Sequence, residues 1–243
     1  MPAIDIIIRT YFRDFRWLAV CLRSIADNLH GYRDIVVVMP PSSRDRLPDG
    51  TVPLDLRVRL SSCDEYADDY LGQQITKLNA DTFSDADYVA ILDSDCVFHA
   101  RCSLRALFLT RHQPVLYYLG RSRRPPSDGW RCCIQDYHGT ALPFDALTVP
   151  PWFYPASLFG ELRATALRLH HTTIERWILG RSLDRVSEVG LLTAQAWLHR
   201  RDDFVWRDQV DGGIWPCVAY WSRSPRAAGI LAGLSEAFRD GRR

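Results

Sequence analysis

Short, wholly apolar runs alternate with stretches of helical periodicity through the first hundred residues. Apolar runs predict buried strands at residues 3 to 9, 35 to 39 and 88 to 93, and LRVRLS predicts a further strand at 56 to 61. Apolar residues recur at helical spacing from 15 to 29, and the segment 70 to 83 also predicts a helix. The strand–helix–strand order predicts a right-handed crossover. We therefore expect an α/β fold with an open mixed, mostly parallel sheet flanked by helices.

The second half of the chain has a less regular pattern. We expect strands at 114 to 119, 204 to 208 and 214 to 221, and helices at 156 to 169, 173 to 180, 187 to 200 and 224 to 239. Prolines, arginines and aromatic residues crowd residues 120 to 155, which predicts loops, with WRCCIQDYHG as a short extended piece. No repeat or low-complexity linker interrupts the chain. We therefore expect a single domain in which residues 1 to 100 and 101 to 243 form two continuous halves.

Composition indicates a globular protein in a reducing compartment. The chain has 243 residues, 47% of them hydrophobic, which is enough for a packed core. No apolar run approaches the ~20 residues needed to cross a bilayer, so we expect no transmembrane segment. Seven scattered cysteines without a CxxC pair favour neither a zinc ribbon nor a disulfide framework, and a cytoplasmic location is the simplest.

Charge is nearly balanced, but the basic residues are unusual. The net charge is +1, and Lys77 is the sole lysine among 30 basic residues. Arginine presents a planar guanidinium group suited to phosphate, so the composition is compatible with a phosphate or nucleic-acid ligand but does not demonstrate one.

Two aspartates follow the predicted strand YVAILD, at the end where α/β sheets bind ligands. Asp93 and Asp95 are separated by one residue. Paired carboxylates suit Mg²⁺ or Mn²⁺ held jointly with a diphosphate, because these ions prefer carboxylate and phosphate oxygens. Such a pair also occurs by chance in solvated acidic turns.

Three segments together carry a family resemblance. IDIIIRTYFRDFRWLAVCLRSI, GQQITKLNAD and YVAILDSDCVF resemble bacterial and phage glycosyltransferases of the GT-A fold, in particular an uncharacterised group that pairs a QQxxKL helix with an LDSD strand end. The resemblance covers residues 4 to 100, and more faintly the segment SEVGLLTAQAW at 187 to 197.

The resemblance implies a nucleotide-diphosphate sugar donor, such as a UDP-sugar, and a Mn²⁺ or Mg²⁺ ion that bridges the diphosphate. Asp95 would be the direct metal ligand, and Asp93 would contact the ribose or the hydration shell of the metal. The loop of Arg9, Thr10 and Tyr11 would hold the nucleotide base and ribose.

The helix before the aspartates offers further donor contacts. Gln73 and Lys77 are four residues apart and share one helix face, and Gln74 lies beside it. We expect this face to point toward the sugar or diphosphate. The alternative is an ordinary solvated polar face.

An inverting transfer needs a carboxylate that removes the acceptor proton. Glu188 is the candidate, although Val189, Gly190 and Leu191 stand where the resembled group has aromatic residues. The alternative is a first-turn glutamate favoured by the helix dipole. Other carboxylates and the histidines at helix ends are weaker candidates: Asp202, Asp203, Asp208, Asp211, His170, His171 and His199.

Aromatic residues are dense between Trp130 and Phe159. Trp130, Tyr137 and Trp152 are candidates for stacking on an acceptor, and core filling is their alternative role. The hydroxyl acceptor would be a saccharide or lipid-linked glycan, or a hydroxymethylated base in phage DNA.

The sequence thus predicts a metal-dependent hexosyltransferase. A nucleotidyltransferase is the nearest rival, but it usually needs a glycine-rich loop, and IIIRTYFRDF has no glycine. A non-catalytic module that binds sugar or nucleic acid is the rival from another class.

Overall fold

A computed structural model describes residues 1–110, 113–120, 128–181, 186–209, 215–220, 222 and 224–239 of the chain. In chain order the strands are β1 (Ile4–Arg9), β2 (Leu29–His30), β3 (Asp34–Met39), β4 (Val58–Ser62), β5 (Tyr88–Asp93), β6 (Cys96–Phe98), β7 (Cys102–Ser103), β8 (Val115–Tyr118), β9 (Trp152–Pro155), β10 (Val205–Asp208) and β11 (Cys217–Ala219). The helices are α1 (Phe15–Asn28), α2 (Pro41–Arg44), α3 (Asp69–Leu78), α4 (Leu104–Phe108), α5 (Gly129–His138), α6 (Ala156–His170), α7 (Ile174–Leu179), α8 (Glu188–His199) and α9 (Ala227–Arg239). Short 3₁₀ turns lie at Phe12–Asp14, Ala80–Phe83 and Arg201–Asp203.

The main sheet has five strands in the order β4-β3-β1-β5-β9. The pairs β4–β3, β3–β1 and β1–β5 are parallel, and β9 is antiparallel to β5. The predicted open, mixed and mostly parallel sheet flanked by helices is confirmed. From β1 the chain moves outward to β3 and β4, and then returns to the other side of β1 as β5. This reversal lies between β1 and β5, and sheets of this kind bind ligands at the carboxyl ends of the strands there.

The central strands are buried on both faces because helices cover each side of the sheet. Ile7, Val36 and Ile91 pack against α3, α6 and α8 on one face. Ile6 and Val37 pack against α1 and α4 on the other face. Adjacent residues of a strand point to opposite faces, so strands buried on both sides are apolar throughout. This explains why β1, β3 and β5 appear in the sequence as continuous apolar runs.

Two elements of the second half differ from prediction. Residues 130 to 139 were expected to be extended, but residues 130 to 138 form most of α5 instead. The Asp128 side chain caps this helix by accepting from Trp130 N, and Gly139 ends it at φ 73°, a left-handed conformation that glycine adopts without strain. The other difference is β9, a strand within a segment expected to be loop. The local sequence does not reveal this strand because its partner β5 lies more than sixty residues away in the chain.

The second half also contributes to the same sheet and core as the first. β9 forms one edge of the main sheet, and residues from α5, α6, α7 and α8 share a core with β1, β3 and β5. The structure is therefore a single domain. Across the described ranges, the helices are too short or too polar to cross a membrane.

Candidate active site

The carboxyl ends of β1 and β5 bring two of the predicted site segments side by side. Arg9, the last residue of β1, lies opposite Asp93, the last residue of β5, in the parallel register. Asp95 follows two residues after Asp93, immediately before β6 begins. Both aspartates therefore lie at the carboxyl end of β5, at the reversal point of the sheet.

Helix α3 holds the Asp93 carboxylate from the side. Gln73 Nε2 donates to Asp93 Oδ1 at 2.7 Å, and Lys77 Nζ forms an ion pair with the same oxygen. The helical spacing predicted this common face. The other oxygen, Asp93 Oδ2, makes no hydrogen bond with the described residues, and the side chain is 25% exposed. One oxygen is thus fixed by the protein while the other is available to a ligand.

Lys77 joins this carboxylate to a second one. Its Nζ lies 2.8 Å from Glu188 Oε1, and both side chains are buried. Burial lowers the pKa of Lys77, but the negative charges of Asp93 and Glu188 outweigh this effect and raise its pKa above the ordinary value. The ammonium group is therefore charged at neutral pH. The ring of Trp152 lies on another side, with its centroid 5.6 Å from Nζ.

The first turn of α8 holds Glu188 in place. The Ser187 side chain accepts from Gly190 N at 3.1 Å and caps the helix. Gln74 Oε1 accepts from the backbone N–H of Glu188 at 3.1 Å. Gln74 is buried and faces α8, so it lies apart from the donor contacts predicted for it. At Gly190, a Cβ atom would approach Ile134 Cδ1 to 2.9 Å, so α8 packs closely on α5 there.

Asp95 is held by the segment that follows β11. Its Oδ2 accepts from Ser222 N at 2.7 Å, and its backbone carbonyl accepts from Tyr220 N at 3.1 Å. Burial and the charge of Asp93 raise the pKa of Asp95 to about 6. A bound cation would offset this repulsion between neighbouring carboxylates.

The aspartate pair fits a divalent cation only together with ligand oxygens. Among the described residues, no group of three or more histidine, cysteine, aspartate or glutamate side chains is arranged to hold a metal. Asp93 and Asp95 each have one carboxylate oxygen without a hydrogen bond to a described residue. Mg²⁺ and Mn²⁺ commonly bind through one or two carboxylates plus substrate phosphates. The donor set thus matches a cation that arrives with a diphosphate.

The loop after β1 presents polar groups that lack partners. Arg9 is buried and its guanidinium NH2 group lies 2.5 Å from Asp69 Oδ1, which ties β1 to the first turn of α3. Arg9 Nε, Asp69 Oδ2 and Thr10 Oγ1 are buried without a hydrogen-bond partner among the described residues. Tyr11 is half-buried, and its ring contacts Phe12. The sequence pointed to Arg9, Thr10 and Tyr11 but contained no signal for Asp69.

The three aromatic acceptor candidates lie in different environments. Trp152 is half-buried next to Lys77, as described above, and its Nε1 donates to Thr148 O at 3.1 Å. Trp130 is half-buried in the first turn of α5. Tyr137 is fully buried, and its hydroxyl donates to Leu162 O at 2.6 Å. Tyr137 has no surface on which an acceptor could stack, so the prediction for this residue is corrected to core filling.

The rival carboxylates and the histidines mostly have structural partners. Asp203 pairs with Arg200, and Asp208 accepts from Gly120 N. His170 Nε2 contacts the carbonyl of Tyr137 at 2.8 Å. The remaining candidates are the exposed Asp202, His171 and His199, whereas Asp211 lies outside the described residues.

Comparison with known proteins adds no name to this site. No protein-family model matches the chain, and no curated protein matches its sequence.

Proposed function

We propose that this protein is a metal-dependent glycosyltransferase that moves a hexose from a nucleotide-diphosphate sugar to a hydroxyl acceptor. One observation carries the proposal: Asp93 and Asp95 lie at the sheet reversal, and a buried lysine links Asp93 to a third carboxylate, Glu188. The donor diphosphate needs a cation held by carboxylates, and the acceptor hydroxyl needs a carboxylate that takes its proton. Asp93 and Asp95 are suited to the first task and Glu188 to the second.

The donor side of the site is formed by the ends of β1 and β5. Asp93 and Asp95 would hold Mn²⁺ or Mg²⁺ through their two free oxygens, together with the donor diphosphate. When bound, the cation supplies positive charge that stabilises the departing diphosphate. Arg9 Nε and Thr10 Oγ1 are buried beside this position without a hydrogen-bond partner among the described residues. The nucleoside part of the sugar donor, or water, would form these hydrogen bonds.

Glu188 is suited to the acceptor side. Lys77 occupies Oε1, while Oε2 makes no hydrogen bond with a described residue. In an inverting transfer the acceptor oxygen bonds to the anomeric carbon, and the bond from that carbon to the diphosphate oxygen breaks. The electron pair of that bond leaves with the diphosphate, and the acceptor proton passes to Glu188 Oε2. The half-buried Trp152 offers a ring on which a sugar acceptor could stack.

A thermal-unfolding screen of nucleotide sugars with Mn²⁺ tests the donor assignment. A true donor at a hundredfold excess over its Kd raises the free energy of unfolding by about 2.7 kcal/mol. The donor that stabilises the protein should then be hydrolysed slowly in a Mn²⁺-dependent reaction, and Asp95→Asn should abolish this hydrolysis. A flat screen contradicts the proposal. Binding without hydrolysis or transfer identifies a non-catalytic binding module, and release of diphosphate from a nucleoside triphosphate identifies a nucleotidyltransferase.

The acceptor is identified in a second step with the radiolabelled donor. We expect label to enter a glycan or lipid-linked glycan. Label in DNA that contains hydroxymethylated bases, but not in unmodified DNA, identifies the nucleic-acid acceptor instead.

A further inference from the structure

We infer that Lys77 is a positioning residue that holds Asp93 and Glu188 in one arrangement, and that it is not a ligand of the donor. The catalytic effect of Lys77 rests on the proposed function. The ion pairs of Lys77 with Asp93 and Glu188 are observed in the structure whatever the function is. The helix face that Lys77 shares with Gln73 predicts a donor contact, whereas the partners of Lys77 in the structure are Asp93 and Glu188.

The donors of the Lys77 ammonium are largely committed within the protein. An ammonium group has three N–H donors. One reaches Asp93 Oδ1 and another reaches Glu188 Oε1, and the Trp152 ring lies over the group at 5.6 Å. Lys77 is only 1% exposed. A donor phosphate could reach Nζ only by displacing a carboxylate or moving the tryptophan.

One stretch of α3, residues 73 to 77, holds both the Asp93 side chain and the Glu188 backbone in position. Gln73 and Lys77 fix the Asp93 side chain, and Gln74 fixes the backbone of Glu188. Asp93 ends a strand of the first half, whereas Glu188 begins a helix of the second half, 111 residues from Lys77. The position of Lys77 therefore determines how the cation-binding carboxylate and the proposed base lie relative to each other.

Removing the Lys77 ammonium group should disturb the positions of Asp93 and Glu188 more than it weakens donor binding. Without Lys77, the partly exposed Asp93 and the buried Glu188 lose their shared counter-charge, and one of them must move or take up a proton. The donor would still meet Asp95 and the loop after β1. We therefore expect a loss in kcat with little change in donor affinity, because misplacement of reacting groups acts on the transition state.

A double-mutant cycle of Lys77→Met and Glu188→Gln tests the network. We expect Lys77→Met alone to lower Tm by roughly 5 °C or more, because it leaves the buried Glu188 and the partly exposed Asp93 without a counter-charge. Glu188→Gln in the same chain should recover part of this loss, because it removes one of the two charges. Additive Tm changes in the double variant would show that the two residues are not coupled and would overturn the inference.

Kinetics of the same variants separate positioning from donor binding. Lys77→Met should lower kcat by about 100-fold or more, and change the donor Kd by less than about threefold. Lys77→Arg keeps the charge and should retain more activity than Lys77→Met, but less than the wild type, because a planar fork replaces a compact ammonium. If Lys77→Met weakens donor binding more than about tenfold at unchanged kcat, Lys77 is a donor ligand.

The ion pair of Arg163 and Asp81 provides a matched control. Arg163 NH2 lies 2.7 Å from Asp81 Oδ2, and this half-buried pair lies outside the candidate site. Arg163→Met should lower Tm and leave kcat and donor Kd unchanged. If the wild-type protein transfers no sugar, the proposed function fails, while the Tm cycle still decides whether the network exists. The two failures are therefore distinguishable.

Discussion

Gln73 and Gln74 are neighbours on α3, yet their side chains serve opposite parts of the site. Gln73 Nε2 donates to the Asp93 carboxylate at 2.7 Å, whereas Gln74 Oε1 accepts from the backbone of Glu188 at 3.1 Å. One glutamine thus supports the end of β5 and the other supports the start of α8. This division makes the two residues a natural pair for comparison.

Gln73→Ala and Gln74→Ala should have different effects. Gln73→Ala frees the Asp93 side chain and should raise the KM for Mn²⁺ several-fold, with little change in the KM for the donor and a small cost in stability. Gln74→Ala leaves a buried N–H without its acceptor and should reduce the free energy of unfolding by about 1 to 3 kcal/mol. Urea unfolding and the KM values for Mn²⁺ and donor measure the two effects. Identical profiles for the two variants would contradict the division.

Asp95→Asn should stabilise the metal-free protein at neutral pH. The pKa of Asp95 is about 6 in the folded protein and 3.8 in its ordinary state, so the folded protein binds this proton more tightly. The resulting stability is fully present below pH 3.8 and is lost as the pH rises through 6. An amide at this position stays neutral, so we expect a gain of roughly 1 to 3 kcal/mol at pH 7.5 that disappears near pH 4.

Urea unfolding in EDTA at the two pH values measures this gain. Saturating Mn²⁺ with donor should reverse the order and make the wild-type protein the more stable one. A variant that is less stable than the wild type at pH 7.5 without metal would show that the Asp95 charge is already compensated.

Trp152→Ala and Tyr137→Phe should separate an acceptor role from core filling. Trp152 is half-buried beside Lys77, so its loss should raise the KM for the acceptor or lower kcat. Tyr137→Phe removes the hydroxyl that donates to Leu162 O and should cost about 1 kcal/mol of stability, with unchanged kinetics. Steady-state rates with varied acceptor, together with Tm, provide the comparison. A kinetic effect of Tyr137→Phe would run against its assignment to the core.

His138 should make the protein sensitive to mild acid. Burial lowers the pKa of His138 to about 4 from 6.5, so the folded protein keeps the imidazole neutral while the unfolded chain takes up a proton. Its contribution to stability is present above pH 6.5 and is lost as the pH falls toward 4. His138→Gln should therefore remove roughly 1 to 2 kcal/mol of the stability lost between pH 7 and pH 5. Unfolding curves at several pH values test this, with His30→Gln at an exposed position as the control.

The sequence predicted the elements whose signal is local. β1, β3 and β5 are continuous apolar runs because both of their faces are buried, and α1 has strong helical periodicity. The two errors arose where the signal lies elsewhere. α5 depends on caps at Asp128 and Gly139, at the edges of the segment taken to be extended. β9 depends on pairing with β5, which no local pattern reveals.

The site was predictable to the same extent. The end of a buried strand indicated Asp93 and Asp95, and helical spacing indicated that Gln73 and Lys77 share a face. The pairing of Lys77 with Glu188 is a tertiary contact between α3 and α8, and the contact of Arg9 with Asp69 joins a strand to a helix. Such contacts depend on how the elements pack, and one sequence carries no information about which of several candidate charges will meet.

The burial of Lys77 also gives the chain an unusual surface chemistry. Lys77 carries the only lysine side-chain amine of the sequence. Because Lys77 is only 1% exposed, an amine-reactive dye should leave it unlabelled in the folded protein. Labelling of Lys77 would then report the opening of the core between α3 and α8. The single lysine side chain is thus a probe of the contact between α3 and α8.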